Sequence, residues 1–314
     1  MKIIIPLGGR GQRVQPHTYS KPKPFVNLAG KYAIDFLIEP LLKINPKEII
    51  IVHDEFSADR VKEYLPNKYP QTKFSFELQR EALGTGHAIY QAKDLIQEGD
   101  EIIICYCDTI FEGGLDKIAT LPKEVDGIIY AVEVADPKNY GILENDGTYI
   151  TNLVEKPKEP RSNLANIGLY YFKEAYNFMQ NYLQKVMDAG INENGEYYLT
   201  DAFILMIKDG KKLITESVDY MDTGSVNKMI IANAKILQGR VAKGHNVIIE
   251  NCEIGENVSI GSNTALVNCK IKNSIIGSNT YLEGLDIENS LIGDNNNLKK
   301  DGTFFNLGDS CSMS

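Results

Sequence analysis

The sequence predicts an α/β fold, a Rossmann-like and mainly parallel sheet with helices on both faces, followed by a short β-helix. From residue 1 to about 240, short apolar runs alternate with segments whose apolar residues recur at helical spacing. This alternation is typical of parallel strands joined by right-handed crossovers. Near residue 254 a short motif begins to return at a fixed period, which is typical of a solenoid. We therefore predict two domains, at residues 1–240 and 241–314.

Four apolar runs mark the strands that would organise the sheet. They lie at Lys2–Pro6, at Glu48–His53, at 73–78 and at 101–107. Helical spacing of apolar residues predicts a helix from residue 34 to 42, and similar patterns predict helices at 57–65 and 86–96. Ligands in such sheets lie beyond the carboxyl ends of the strands. The loops after Pro6, Leu78 and Cys107 are therefore expected to share one rim.

The C-terminal repeat has the form Ile-Gly-x-Asn. Copies begin at Ile254, Ile260, Ile276 and Ile292, and the last three are spaced by 16 residues. Apolar residues also recur at intervals of five or six, which is too short for helical repeats and suits a three-sided β-helix with isoleucines stacked inside. At about 4.8 Å per coil the motif accounts for roughly three coils. We expect residues 302–314, or another subunit, to cover the open end.

Composition and charge restrict the classes of partner. The 314 residues are 43% hydrophobic and 24% charged, as in an ordinary globular protein, and the formal net charge is -9. This charge argues against nucleic acid or an anionic membrane as partner. The apolar run at the N-terminus is too short for a signal peptide or a membrane span. Five cysteines without metal-site spacing favour a reducing cytoplasm and argue against a zinc site.

A glycine-rich loop follows the first strand, and residues 7–13 read Leu-Gly-Gly-Arg-Gly-Gln-Arg. Glycines let backbone N–H groups approach phosphate oxygens closely, and the arginines supply positive charge that the chain as a whole lacks. The loop is neither a dinucleotide-binding fingerprint, because Val14 replaces the third glycine, nor a Walker A loop. By itself it could be an ordinary turn after a strand.

A basic stretch stiffened by prolines follows at residues 21–24, Lys-Pro-Lys-Pro. The prolines fix φ and hold the lysine between them in an extended segment, where it can act as a point charge for phosphate. A solvated surface loop is the alternative interpretation of this stretch.

Taken together, these segments resemble the sugar-1-phosphate nucleotidylyltransferase family, whose signature is G-G-x-G-x-R followed by P-K-P. Further matches occur in the family's order at residues 79–88, 106–108, 140–141, 155–157, 166–168, 195–201 and 222–224. The segments at 79–88 and 195–201 are closest to bacterial N-acetylglucosamine-1-phosphate uridylyltransferases, and glucose-1-phosphate thymidylyltransferases are also similar. The resemblance covers residues 1 to about 237, and it implies that the β-helix after it is left-handed.

The resemblance also implies a role for each matching residue. The catalytic residues would be Arg13, Lys23, Asp108 and Asp222, the two aspartates holding Mg²⁺. The nucleotide-binding residues would be Leu7, Gly8, Gly9, Arg10, Gly11, Gln79, Gly84 and Thr85. The sugar-binding residues would be Tyr106, Gly141, Glu155, Lys156, Asn166, Gly168 and Glu196. The substrates would be a nucleoside triphosphate, with UTP or dTTP favoured, and a sugar-1-phosphate.

Several of these positions also have a purely structural interpretation. Asp108 and Asp222 could be turn residues at strand ends, since aspartate often occupies such turns. Tyr197 and Tyr198 could be core aromatics, and His87 is expected only to begin a helix. Gln12, Cys107, Tyr32 and Tyr220 depart from the family pattern, but none of these changes removes a charged group that the chemistry needs.

Two rival functions remain at this stage. One is an acyltransferase seated on the β-helix, as in bifunctional uridylyltransferases, although the repeat contains no histidine to serve as general base. The other is a non-catalytic regulator that binds nucleotide sugars. We favour the nucleotidylyltransferase, acting as a cytoplasmic homo-oligomer in nucleotide-sugar and polysaccharide biosynthesis, with the β-helix supporting subunit contacts or a lid.

Overall fold

Strands and helices alternate up to about residue 240 and give way to short strands beyond it in the computed structural model, which describes residues 1–9 and 11–300. Within these residues the strands are β1 (Lys2–Pro6), β2 (Asn27–Leu28), β3 (Lys31–Tyr32), β4 (Glu48–His53), β5 (Phe74–Leu78), β6 (Ile102–Cys105), β7 (Thr109–Glu112), β8 (Gly127–Glu133), β9 (Gly141–Asn145), β10 (Ile150–Glu155), β11 (Leu164–Phe172), β12 (Leu213–Glu216), β13 (Asp219–Asp222), β14 (Val241–Lys243), β15 (Ile248–Glu250), β16 (Glu253–Ile254), β17 (Val258–Ile260), β18 (Ala265–Val267), β19 (Lys270–Lys272), β20 (Ile275–Ile276), β21 (Tyr281–Glu283), β22 (Asp286–Glu288), β23 (Leu291–Ile292) and β24 (Asn297–Lys299). The α-helices are α1 (Ala33–Leu42), α2 (Ala58–Lys68), α3 (Thr85–Tyr90), α4 (Ala175–Asn177), α5 (Gln184–Ala189), α6 (Leu199–Lys208) and α7 (Val226–Leu237). A π-helical segment (Phe178–Leu183) joins α4 to α5.

The first elements lie where the apolar patterns placed them. β1 and β4 have the predicted bounds, and β5 and β6 fall inside the predicted runs at 73–78 and 101–107. α1 and α2 begin within a residue of the predicted positions. The predicted helix at 86–96 is shorter than expected, because α3 ends at Tyr90 and the chain continues as a 3₁₀ turn at Lys93–Leu95.

The central sheet is parallel where the sequence predicted it and mixed elsewhere, since β12 pairs with β8 in parallel and β11 runs antiparallel to its neighbours. Among the described residues it contains nine strands, with β10-β9-β11-β6-β1-β4-β5 along its main path. The strands β6, β1, β4 and β5 are all parallel. The long strand β11 runs antiparallel to β6, β8 and β9, and this pairing was not anticipated from the sequence. The fold is therefore α/β with a parallel-rich sheet, as predicted.

Burial of both sheet faces explains why the first strands read as unbroken apolar runs. Ile3, Ile4 and Ile5 are successive residues of β1, and all are fully buried. Since successive side chains of a strand point to opposite faces, both faces must be covered. One face packs against α3, the 175–189 helix and α6, where Phe172, Phe178 and Phe203 form an aromatic cluster.

The contacts divide the molecule into two compact units. The first comprises Met1–Gly9 and Glu39–Tyr220, and the second comprises the described residues within Arg10–Ile38 and Met221–Ser314. The second unit thus combines the glycine-rich loop, the basic stretch and β2–β3 with α7 and the β-helix. The predicted division into domains at residue 240 stays a prediction.

The C-terminal strands form three parallel sheets, as expected of a β-helix. Within the described residues the sheets are β14-β17-β20-β23, β15-β18-β21-β24 and β16-β19-β22. Apolar side chains stack in the interior, including Ile260, Ile276 and Ile292 of the repeat. The arrangement fits the predicted left-handed β-helix. Its first coil begins at Val241, before the first Ile-Gly-x-Asn copy, so the stack is longer than the repeat suggested.

The geometry of the coils explains the repeated glycine and asparagine. A Cβ on Gly261 would lie 2.5 Å from the backbone of Gly277, and one on Gly277 would lie 2.4 Å from that of Gly293. Asn263 and Asn279 both adopt positive φ, near 57° and 55°, a region that asparagine tolerates better than most residues. Their amides also hydrogen-bond from coil to coil. The predicted cover at residues 302–314 lies outside the described residues.

Candidate active site

The glycine-rich loop begins beside residues 79–88, which are the predicted nucleobase loop. Leu7 is buried and its N–H donates to the Val52 carbonyl at 2.6 Å, so the loop starts from a fixed position. Gly8 and Gly9 are exposed. A Cβ on Gly8 would lie 2.9 Å from Oε1 of Gln79, so glycine is what allows this approach. Two predicted nucleotide-binding segments therefore meet within the first unit. Arg10 lies outside the described residues.

Hydrogen bonds made by side chains within the nucleobase loop hold its conformation. Gln79 is buried, and its Nε2 donates to the Gly84 carbonyl at 3.2 Å and lies 3.1 Å from Nδ1 of His87. The imidazole of His87 stacks on Tyr197 at 6.0 Å. His87 lies in the first turn of α3, close to the helix start predicted for it, and it also holds the Gln79 amide. This position near a helix start was the only sequence signal for the contact.

Residues 195–199 pack directly on this loop. Gly84 has a φ of 96°, and a Cβ on it would lie 2.7 Å from the Tyr197 carbonyl oxygen and 2.9 Å from Cβ of Glu196. Thr85 Oγ1 accepts a hydrogen bond from the Leu199 N–H at 3.2 Å. The loop conformation thus depends on Gly84 and on the chain that leads into α6.

The turn after β6 presents Tyr106 and Asp108. The Tyr106 N–H donates to the Gly168 carbonyl at 2.8 Å, and a Cβ on Gly168 would lie 2.6 Å from the Tyr106 ring. Burial raises the pKa of the Tyr106 hydroxyl, which hydrogen-bonds with Thr85 and Tyr170. Asp108 is partly exposed in the turn just before β7.

The predicted sugar-binding residues converge on the start of β9. Asn166 Nδ2 donates to the Gly141 carbonyl at 3.0 Å, and a Cβ on Gly141 would lie 2.9 Å from Oε2 of Glu155. Burial raises the pKa of the Glu155 carboxyl, and the charge of Lys156 acts in the opposite direction. Lys156 has a positive φ of 46°, and its N–H donates to the Tyr140 carbonyl at 2.9 Å. The segments 140–141, 155–156 and 166 therefore form one cluster.

A chain of hydrogen bonds joins the nucleobase loop to this cluster. It runs from Thr85 through the hydroxyls of Tyr106 and Tyr170 to Oδ1 of Asn166, which accepts from Tyr170 at 2.7 Å. Tyr170 was not among the predicted site residues. It lies four residues after Asn166 on β11, in a run that reads only as a buried strand.

The basic residues lie in the second unit. Gly11 has a φ of 55° and begins the 3₁₀ helix Gln12–Val14, and its carbonyl accepts from Thr18 at 3.0 Å. A Cβ on Gly11 would lie 3.2 Å from Cβ of Lys23, so the loop and the basic stretch touch at this point. Lys23 is 8% exposed and begins the 3₁₀ helix Lys23–Phe25 immediately after Pro22.

Asp222 and Arg13 also meet in the second unit. A Cβ on Gly224 would lie 2.8 Å from Oδ1 of Asp222 and 3.2 Å from Nη2 of Arg13, so both side chains converge on this glycine. Asp222 Oδ1 accepts from the Gly224 N–H at 2.6 Å, and Oδ2 pairs with the ammonium of Lys228. Lys228, in the first turn of α7, was missed because nothing in the sequence distinguishes it from a surface lysine.

The donors at the two predicted metal positions suit a hard cation. Asp108 and Asp222 offer carboxylate oxygens, which Mg²⁺ prefers. Among residues 1–9 and 11–300, no three histidine, cysteine or acidic side chains form a cluster that could hold a metal by themselves. This is compatible with an ion bound by one or two carboxylates together with substrate phosphates. None of the described helices is long and apolar enough to cross a membrane.

Comparison with known proteins identifies sequence relatives over most of the chain. The sequence profile of the nucleotidyl transferase family matches residues 2–239. The "Bifunctional protein GlmU" of Methanococcus maripaludis is 32% identical over 265 residues, covering 83% of this chain and 60% of the relative. The "Bifunctional sugar-1-phosphate nucleotidylyltransferase/acetyltransferase" of Sulfurisphaera tokodaii is 35% identical over 272 residues, covering 81% and 63%. The chain thus spans less than two thirds of the length of these two relatives.

A further relative and a solved structure agree with this picture. The "Low-salt glycan biosynthesis nucleotidyltransferase Agl11" of Haloferax volcanii is 26% identical over 265 residues, covering 83% of this chain and 72% of the relative. A crystal structure from Bacillus anthracis, described as a glucose-1-phosphate thymidylyltransferase in complex with a sucrose, has a TM-score of 0.66 and 22% identity. It covers 74% of this chain and 94% of its own, and at this identity it supports the fold alone.

Proposed function

Because the chain belongs to the nucleotidyl transferase family, we propose that it forms a nucleotide sugar and pyrophosphate from a nucleoside triphosphate and a sugar-1-phosphate. The observation that carries this proposal is the arrangement in the first unit. There the loop after β1, the nucleobase loop, the Asp108 turn and the cluster around Gly141 are joined by close contacts and hydrogen bonds. A two-substrate site needs this kind of shared frame, because transfer depends on holding both reactants in register.

The nucleotide is bound by the first two of these segments. Backbone N–H groups of Gly8, Gly9 and Gly11 line the triphosphate, and the base lies against Gln79, Gly84 and Thr85. Because His87 and the Gly84 carbonyl engage the Gln79 amide nitrogen, the amide oxygen is left as an oriented acceptor for the base. A buried hydrogen bond left unmade costs about 1–3 kcal/mol, enough to discriminate among bases. We propose UTP or dTTP as the nucleotide.

The sugar lies against Gly141, Glu155, Lys156 and Asn166. Tyr106, Gly168 and Glu196 complete the proposed set of sugar-binding residues. The Asn166 amide is oriented by Tyr170 at its oxygen and by the Gly141 carbonyl at its nitrogen. This leaves its second N–H to face a sugar hydroxyl. The partly buried Glu155 carboxyl accepts further hydroxyl hydrogen bonds. Glucose-1-phosphate and N-acetylglucosamine-1-phosphate are the acceptors that we propose to test first.

The reaction is an in-line attack by a phosphate oxygen of the sugar phosphate on the α-phosphorus. A new P–O bond forms, and the bond to the β-phosphate oxygen breaks to release pyrophosphate. Lys23 holds the attacking phosphate, and Arg13 offsets charge on the departing pyrophosphate. Asp108 and Asp222 would hold Mg²⁺, which when bound neutralises phosphate charge and orients the triphosphate.

Pyrophosphate release tests this function. Each of UTP, dTTP, CTP, GTP and ATP is offered with a panel of sugar-1-phosphates in the presence of magnesium. We expect release with one pair, and a fall of about 100-fold or more in the Asp108→Asn variant, because a lost metal ligand weakens charge neutralisation in the transition state. Asp116→Asn, an exposed acid a few residues further on, is the matched control and keeps full activity.

Absence of release with every pair would contradict the proposal. It would favour instead a protein that binds nucleotide sugars without turnover, which equilibrium binding of the same compounds would detect. Equal activity of Asp108→Asn and wild type would show that the Asp108 carboxylate is not needed for the reaction.

A second activity on the β-helix is suggested by the bifunctional names of the relatives. The β-helix begins at Val241, before the repeat, so an exposed histidine, His245, follows its first strand. The β-helix therefore contains a histidine, although the Ile-Gly-x-Asn repeat does not. Acetyl transfer from acetyl-CoA to an amino sugar phosphate, measured by thiol release, distinguishes this alternative.

We propose that the protein works in the cytoplasm as a homo-oligomer, with its β-helix as a contact surface. Light scattering of the purified chain measures the mass of the particle, and a monomer at all concentrations would contradict this assignment.

A further inference from the structure

The β-helix is tied to the basic stretch by a partly buried ion pair. Lys21 Nζ lies 2.5 Å from Oδ2 of Asp294, and the side chains of these residues are 4% and 18% exposed. The other carboxylate oxygen, Oδ1, accepts from the Ser278 N–H at 2.7 Å on the preceding coil. Asp294 is therefore fixed by the coil stack, and it presents one oxygen to Lys21.

The repeat departs from its own pattern at this position. On the side of the β-helix that contains β17, β20 and β23, the third residue of Ile-Gly-x-Asn is Ser262 in one coil, Ser278 in the next and Asp294 in the third. Asp294 lines a small cavity together with Lys21, Val26, Asn27, Gly277 and Gly293. A serine would satisfy the coil equally well, since two coils use one. The ion pair with Lys21 therefore accounts for an aspartate at this position.

Residues 27–29, which follow the basic stretch, also contact α7 and the β-helix. β2 contacts both α7 and β20. The Ala29 N–H donates to Oδ1 of the buried Asn233 at 2.9 Å, and Asn233 in turn donates from Nδ2 to the Asn257 carbonyl. Contacts thus hold residues 27–29 on the C-terminal side of Lys23, and the Lys21–Asp294 pair holds the N-terminal side.

We propose that Asp294 is a positioning residue for Lys23, acting through its ion pair with Lys21. Only Pro22 separates the two lysines, and its fixed φ transmits the position of Lys21 to Lys23. The proposal rests on the function proposed above, in which Lys23 holds the sugar phosphate. It assigns the β-helix a part in the transfer reaction besides any contact between subunits.

The first test does not depend on activity. The intact protein is treated with a water-soluble amine acylating reagent, and the labelling rates of Lys21 and Lys23 are followed by mass spectrometry. In Asp294→Asn we expect labelling of Lys23 to rise about tenfold, because its ammonium is buried only while the stretch is held in place. Lys2, which is buried in the first unit, reports any global unfolding and stays slow.

Two further variants make the result decisive. Glu256→Gln is the matched control, because Glu256 is the acid at the same motif position of the first copy but lies on another side of the β-helix and pairs with the exposed Lys272, and it leaves Lys23 protected. Asp294→Ser restores the residue of the two preceding coils and so suits the fold. Faster labelling of Lys21 alone would overturn the proposal, and so would rapid labelling of Lys2 in both Asp294 variants, since the pair would then serve stability only.

The second test separates positioning from stability in the active enzyme. A loss of folded protein lowers kcat and leaves both KM values unchanged. Misplacement of Lys23 raises the KM for the sugar phosphate about tenfold, with the KM for the triphosphate within about twofold of wild type. Asp294→Glu, which keeps the charge, recovers part of the loss. Unchanged KM values in active Asp294→Asn would overturn the proposal, whereas inactivity of the wild type would count against the proposed function alone and leave the labelling test to decide.

Discussion

Tyr170 shows how a single hydroxyl can set the orientation of a binding group. Its donation to Oδ1 of Asn166 leaves the amide nitrogen to bind the Gly141 carbonyl and one further acceptor. The same hydroxyl is linked through Tyr106 to Thr85 in the nucleobase loop. Two binding segments far apart in sequence thus share one row of buried hydroxyls.

Removing this hydroxyl tests the assignment of the sugar-binding cluster. In Tyr170→Phe we expect the KM for the sugar phosphate to rise about fivefold, since one neutral hydrogen bond contributes about 1 kcal/mol. The KM for the triphosphate stays near the wild-type value. Steady-state kinetics with each substrate varied in turn measures both.

The neighbouring residue provides the control for this variant. Tyr171 points to the other face of β11, where its hydroxyl donates to Glu101 at 3.0 Å, so Tyr171→Phe leaves both KM values unchanged. Equal effects of the two substitutions would show that the loss is one of stability and would count against a role for Tyr170 in sugar binding.

At the scale of the elements, the β-helix shows which features of its repeat are steric. Gly277 has ordinary backbone dihedrals but lies so close to the next coil that a Cβ would approach the Gly293 backbone at 2.4 Å. Gly255, in the first copy of the motif, follows β16 on another side of the β-helix, and the nearest neighbour of a Cβ on it would be the side chain of Lys272 at 3.3 Å. The glycines that follow β14, β17 and β20 are therefore under stronger steric constraint than Gly255.

Alanine at these two positions distinguishes the two environments. Gly277→Ala is expected to lower the free energy of unfolding by about 1–3 kcal/mol, because the coils must separate to admit the methyl group. Gly255→Ala changes it by less than about 0.5 kcal/mol. Urea denaturation followed by circular dichroism gives both values. A stable Gly277→Ala would mean that the coils can shift apart at little cost.

At the scale of the whole molecule, negative charge dominates while the proposed substrates are anions. The formal net charge is -9, and the positive groups assigned to phosphate are concentrated in the loop and basic stretch of the second unit. At the amino-terminal ends of β1 and β4, Lys2 pairs with Asp100 at 2.8 Å and lies 3.8 Å from Glu48. The net charge of the chain therefore reveals neither the positive residues assigned to phosphate nor the ion pairs of Lys2.

The buried carboxylates of this ion network make stability depend on pH. Burial acts to raise the pKa of Glu48, but hydrogen bonds from Lys73 and Ser75 and the nearby lysine charges outweigh it and hold the pKa below its ordinary value. The pKa of Asp100 is lowered in the same way, by Lys2 and the Gln97 N–H against the effect of burial. The unfolded chain therefore binds protons first as the pH falls, and the stabilisation is lost as the pH drops through the lowered values.

Urea midpoints measured between about pH 7 and about pH 3 test this dependence. We expect the wild type to lose more stability on acidification than Glu48→Gln, which cannot titrate at this position. Glu124→Gln, an exposed acid, retains the wild-type slope. A Glu48→Gln variant with the same slope as the wild type would show that Glu48 titrates alike in the folded and unfolded chains.

The sequence by itself determined the parts of this protein that depend on local pattern. Unbroken apolar runs located β1 and β4, because strands buried on both faces need apolar residues at every position. The Ile-Gly-x-Asn repeat predicted the β-helix, since each coil needs the same inward side chain, close approach and turn. The segments of the proposed site were also selected from local pattern, because glycines and prolines leave recognisable signals, and their roles stay a prediction.

Only the tertiary structure decided the contacts between residues far apart in the chain. The antiparallel strand β11, the support of Gln79 by His87 and the pairing of Asp222 with Lys228 have no periodic signature. The Lys21–Asp294 pair joins residues separated by 273 positions. Such contacts depend on how finished elements pack, and a lysine that will be buried in an ion pair has the same local sequence signal as one in solvent. The function proposed here depends on both kinds of information.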